Sequence, residues 1–155
     1  MKGVCKFMKI HALFLIFSYF LCAGFTATSL EGRIYPEEEL LNLVNSLRQE
    51  ENISPLNHDW EASRVARHRA EDMLLHNYFG HDSPIYGSFF DMLDNFNISY
   101  QNAGENIAIN IKNPQEVVDA WNACPDHRKN ILSKNFTSAG VGYTPERHCW
   151  VLILY

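Results

Sequence analysis

Helical periodicity comes first in this chain, and strand-like apolar runs come late. Ala139-Gly-Val-Gly-Tyr143 and Cys149-Trp-Val-Leu-Ile-Leu-Tyr155 flank a Thr-Pro-Glu-Arg turn, the pattern of an antiparallel hairpin. Asn106 to Ile111 carries apolar residues at alternate positions, Ile107, Ile109 and Ile111, which predicts a third strand. Helices first and strands interleaved late argue for an α+β fold, not a parallel βαβ repeat.

Five helices are expected before the hairpin. Pro36 suits a first helical position, and Glu37, Glu38 and Glu39 suit the positive end of the helix dipole. Leu40, Leu41, Val44 and Leu47 then recur at helical spacing, so this helix should run to about Glu51. Asp59 can cap a second helix with Ala62, Ala66, Ala70 and Met73 as its inner stripe. Arg64, Arg67, His68, Glu71 and Asp72 make its outer side, and Gly80 is a suitable residue just beyond its end. Ser88 and Asp91 have capping-box spacing for a short third helix. Asn113, Pro114 and Glu116 begin a fourth, with Glu116 completing the cap, and a fifth starts near Pro125.

The first stretch differs in kind. Lys2, Lys6 and Lys9 precede an apolar run from Ile10 to Ala23, and small residues follow. That order is the order of a secretory signal peptide. Residues 1–29 are expected to be a leader cleaved after about residue 24 or 29, leaving 30–155 as one domain. An uncleaved leader would be the chain's only membrane contact. Without the leader, 10 basic residues face 18 acidic ones, a net charge of −8. Such a domain is poorly suited to nucleic acid or anionic membranes.

Cys5 and Cys22 depart with the leader, and Cys124 and Cys149 remain. An even pair in an exported chain is expected to form a disulfide. The loop it closes would contribute roughly 3 kcal/mol in the chain-entropy account. Asn97-Ile-Ser99 and Asn135-Phe-Thr137 are glycosylation sequons if the source is eukaryotic.

Three polar spots interrupt the apolar frame. His81 follows Gly80, Glu105 enters the Asn106 strand, and His127 lies in the first turn after Pro125. Two histidines and a carboxylate can form a zinc site or a general acid–base set. Their spacings of 24 and 22 residues match no contiguous zinc motif, so the residues alone leave both open. His58, His68, His76 and His148 read as solvated or capping residues. No nucleophile elbow and no phosphate loop is present.

Six segments, in order, resemble the CAP superfamily, the cysteine-rich secretory, antigen 5 and pathogenesis-related type, and more closely its compact microbial SCP-like branch. They are Leu40–Arg48, Gly80-His-Asp-Ser-Pro84 with Tyr86-Gly-Ser88, Asn102–Ala108, Val117–Trp121, Pro125–Leu132 and Gly140–Tyr143. The resemblance implies a three-layer α-β-α sandwich with a central antiparallel sheet and a cleft lined by His81, Glu105 and His127. It implies that His81 and His127 can hold zinc or another divalent metal. A second family glutamate, expected three residues after Trp121, is replaced by Cys124.

The expected function is a secreted, monomeric, non-catalytic binding module for a small lipid or sterol or an extracellular protein. A zinc-dependent hydrolase or protease with Glu105 as base is the alternative, and a wall-associated structural protein is a third.

Overall fold

The computed structural model describes residues 35–155. The expected leader, with Cys5 and Cys22, lies outside the described residues. Five helices and six strands follow in the order α1 (Pro36–Glu50), β1 (Asn57–His58), α2 (Trp60–Leu75), β2 (Asp82–Ser83), β3 (Gly87–Ser88), α3 (Phe89–Asn95), β4 (Gly104–Ala108), α4 (Pro114–Ala123), α5 (Pro125–Ile131), β5 (Ser138–Thr144) and β6 (Cys149–Leu154).

Local chemistry accounts for most helix starts. Asp59 accepts a hydrogen bond from the Ala62 amide, and Ser88 and Asp91 form a full capping box. Asn113 caps α4 through the Gln115 amide, with no part for Glu116. Helix ends follow a rule the sequence reading missed. Asn52, Asn77 and Asn97 stand just past α1, α2 and α3 with φ of 56°, 49° and 58°. In each case the next amide bonds back five residues, as in Ile53 to Arg48, Tyr78 to Met73 and Ile98 to Leu93. These are Schellman ends with asparagine as the left-handed residue. Gly80, expected in that role, lies three residues beyond Asn77.

The main sheet has the order β1-β5-β6-β4. β6 pairs antiparallel with both β5 and β4, and only the two-residue β1 runs parallel to its neighbour. Side chains of β6 alternate between two cores. Trp150, Leu152 and Leu154 pack with Leu40, Val44, Val117 and Trp121. Cys149, Val151 and Ile153 pack with Val65, Ala66, Met73 and Leu93. The central strand is therefore buried on both faces, with α1, α4 and α5 on one side and α2 and α3 on the other.

Two glycines set how closely α2 sits on the sheet. A Cβ on Gly140 would stand 2.2 Å from the Ala62 carbonyl carbon, and one on Gly142 would stand 2.2 Å from that of Ala66. The alanine stripe of α2 thus rests almost directly on bare β5 backbone. On the other face, buried Arg48 donates to the carbonyls of Ser54, Ile131, Ser133 and Phe136 at 2.6–3.2 Å. It ties the end of α1 to the end of α5 and satisfies carbonyls that the helix leaves unpaired.

The expected Cys124–Cys149 bond is not formed; both residues are free thiols. Cys149 belongs to the core facing α2, whereas Cys124 joins α4 to α5 on the opposite layer. The sheet separates them. Burial also pushes the Cys149 thiol up to about 11, so it behaves as an inert core residue.

Candidate functional site

Glu105 enters β4, the edge strand, opposite Ile153, and so points to the face covered by α2. It is almost fully buried. Arg69 of α2 meets it there, its Nε donating to Oε1 at 2.9 Å. The other oxygen, Oε2, lies 2.6 Å from His81 Nδ1. A carboxylate only accepts, so the ring nitrogen carries the proton in that bond. His81 Nε2 is then left to the solvent side, and the side chain is 52% exposed.

His127 belongs to α5, on the opposite layer. Buried Asn106, the next residue of β4, donates to the His127 carbonyl at 3.0 Å. Asn130, one turn further along α5, donates to Asn106 Oδ1 at 2.9 Å and to the Glu105 carbonyl at 3.3 Å. The first turn of α5 is thereby held against the outer edge of β4. Trp121 closes more of that edge by donating from Nε1 to the Ile107 carbonyl at 3.1 Å.

The two imidazoles differ electrically. The hydrogen bond to Glu105 raises the His81 pKa above its ordinary value, against an opposing effect of burial. Burial lowers that of His127, and the nearby His81 charge lowers it further. One ring is biased towards the cation and the other towards the neutral form.

The structure therefore brings His81 and Glu105 into contact and sets His127 within electrostatic range of His81. It does not make the three into one ligand set. Among the described residues no group of three His, Cys, Asp or Glu side chains is arranged to hold a metal ion. Each Glu105 oxygen accepts one hydrogen bond, from Arg69 and from His81, so the carboxylate holds the His81 ring from behind. Cys124, at the place of the missing glutamate, sits between two helices, and the neighbouring Asp126 is exposed. Among the described residues the other histidines each have local partners: His58 with Ser63, His68 with Tyr86, His76 with Asp72 and His148 with Tyr143. Asn97 and Asn135 are exposed. Asn106 and Asn130 were not singled out from the sequence as site residues; their place beside Glu105 and His127 in their motifs was the available signal.

An α-β-α sandwich with this strand order, carrying the His81–Glu105 pair at its edge strand, has the architecture of a CAP-type domain. The CAP (Cysteine-rich secretory protein) family model matches residues 41–155, and the chain belongs to that family. It is 49% identical over 114 residues to protein YkwD of Bacillus subtilis, covering 74% of this chain and 44% of that protein. It is 38% identical over 106 residues to the membrane protein YlbC of the same organism, covering 68% of this chain and 31% of that one. The chain thus spans less than half the length of these relatives. An extracellular SCP-domain protein from Bacillus anthracis has a similar structure, with TM-score 0.74 and 32% identity over 77% of this chain and 39% of the other. An outer surface protein from Borrelia burgdorferi shares the fold, with TM-score 0.69 and 20% identity over 76% and 89% of the two chains.

Proposed function

We propose that this chain is an extracellular, non-catalytic binding module whose cleft takes a divalent metal ion between His81 and His127. The carrying observation is the His81–Glu105 hydrogen bond. Metal-binding histidines commonly donate their second ring nitrogen to a carboxylate, which orients the ring and raises its basicity. Here that arrangement leaves His81 Nε2 unblocked. His127, biased towards neutrality, supplies a second imidazole, and water would complete the shell. Imidazole donors suit zinc, copper, iron and nickel, and select against calcium and magnesium.

An extracellular location is supported by the likeness to an extracellular protein of Bacillus anthracis and an outer surface protein of Borrelia burgdorferi. No described helix is long and apolar enough to cross a membrane. A lipid, a sterol or an extracellular protein remains the proposed binding partner, outside or across the metal site.

One observation favours a hydrolase instead. A proton-rich His81 beside a proton-poor His127 is an acid and a base placed together. Against it, Glu105 is buried and both its oxygens already accept hydrogen bonds, from Arg69 and His81.

Metal analysis of the purified protein separates these readings. Stoichiometric zinc that is lost in both His81→Ala and His127→Ala, with no hydrolysis of peptide or ester substrates, is the expected result. Zinc retained by both variants would overturn the site, and hydrolysis lost with the metal would replace the binding reading with the catalytic one.

A further inference from the structure

Arg69 and Asp72 lie one turn apart on α2, and both are buried. Their charged atoms approach no closer than 3.9 Å. They are not spent on each other; both are spent on the chain that doubles back after α2.

Arg69 uses all three guanidinium nitrogens. Beyond the Nε bond to Glu105, Nη1 donates to the Tyr78 hydroxyl at 2.8 Å and Nη2 to the Gly80 carbonyl at 2.9 Å. The Tyr78 hydroxyl donates in turn to Asp72 Oδ2. Ser83 accepts from the Ile85 and Tyr86 amides at 3.0 Å each, which leaves its proton for another acceptor. Burial alone would raise the Asp72 pKa, but hydrogen bonds from Tyr78, Ser83 and His76 bring it below the ordinary value. Burial and the bond to Asp72 push the Tyr78 hydroxyl up to about 12, so it stays a donor. The bow from residue 78 to residue 83 is thus pinned at Tyr78 and Gly80, with His81 next to the second pin.

We propose that Arg69 and Asp72 are a positioning pair that locks the His81 bow onto Glu105, fixing which ring nitrogen of His81 faces the cleft. Neither residue touches the space a ligand would occupy. A buried guanidinium with two carboxylates is a costly way to gain stability, since apolar residues of similar volume commonly do as well. What the charges add is geometry: one planar fork binds three acceptors at fixed angles. This inference deepens the cleft reading but does not depend on metal.

The test is nitrogen-15 NMR of the imidazoles and amide exchange in metal-free protein, with circular dichroism as the fold control. In the unaltered chain His81 should be a single tautomer protonated at Nδ1. Tyr78→Phe should speed amide exchange across 79–83 by about tenfold or more, because both hydrogen bonds of the Tyr78 hydroxyl, to Arg69 and to Asp72, are lost. Arg69→Lys should hold the tautomer through Glu105 yet show the same fast exchange. Arg69→Met should lose both. If Tyr78→Phe and Arg69→Lys fold and leave the tautomer and the exchange rates unchanged, the inference is overturned. Should the arginine variants fail to fold, Tyr78→Phe decides. Zinc failing to bind the unaltered chain would sink the proposed function without touching these spectra.

Discussion

His81 Nδ1 lies 2.6 Å from Glu105 Oε2, and Arg69 holds the other oxygen of the same carboxylate. The cleft is therefore organised from behind: the group that orients the exposed histidine is itself held by a buried guanidinium. Several outcomes depend on that order.

Glu105→Gln keeps the shape but removes the charge. Arg69 loses its counter-ion and His81 its strongest acceptor. His81 should titrate lower than in the unaltered chain, since its raised pKa comes first from that hydrogen bond. Zinc affinity should fall by about 10- to 100-fold, the usual effect of removing a carboxylate behind a metal-binding histidine. Calorimetry and NMR titration measure the two effects; unchanged affinity would mean that Glu105 does not support the site.

Gly140→Ala and Gly142→Ala should each destabilise by about 3 kcal/mol or more, at the high end for overpacking. The added methyl at either position would overlap the α2 backbone, which cannot yield as a side chain can. Urea denaturation reads the loss. A cost below about 1 kcal/mol would show that α2 can lift off the sheet.

Asp72 should contribute stability that fades in acid. Its native pKa is lower than the unfolded value near 3.9, so the unfolded state takes up protons first as the pH falls. The contribution is fully present above about pH 4 and is lost as pH drops through the lowered native value. Asp72→Asn should therefore be less stable at neutral pH and have a flatter acid limb. Parallel acid limbs for the two proteins would contradict this.

Thiol labelling addresses the cysteines. Cys124 is partly exposed and should alkylate in the native protein, whereas Cys149 should react only after unfolding. Peptide mapping by mass spectrometry distinguishes them. A disulfide-linked peptide containing both would require a rearrangement of the layers on either side of β6.

Much of the frame was legible because its signals are local. The Ser88–Asp91 box, the Asn113 cap, the proline starts and the late hairpin all act within a few residues. β1, β2 and β3 have two residues each, too few for any periodicity to show. Asp72 was placed on the outer side of α2 by its charge, yet it is buried. Its burial is made tolerable by Tyr78, Ser83 and His76, and that return of the chain is tertiary information. Arg69 escaped notice for the same reason, since its partner Glu105 is 36 residues away. The disulfide expectation failed because counting cysteines says nothing about sheet faces. His81, Glu105 and His127 became a set only through the ordered family motifs; the structure then showed that Glu105 stands behind the pair and not beside it.

In the proposed site His81 offers Nε2 to a metal while Nδ1 stays bonded to Glu105. Zinc titration of nitrogen-15 histidine-labelled protein tests it most directly. Saturable shifts are expected at His81 Nε2 and on the His127 ring at one equivalent, with the His81 Nδ1 proton retained. Shifts at His81 Nδ1, or no change in either ring at saturating zinc, would contradict it.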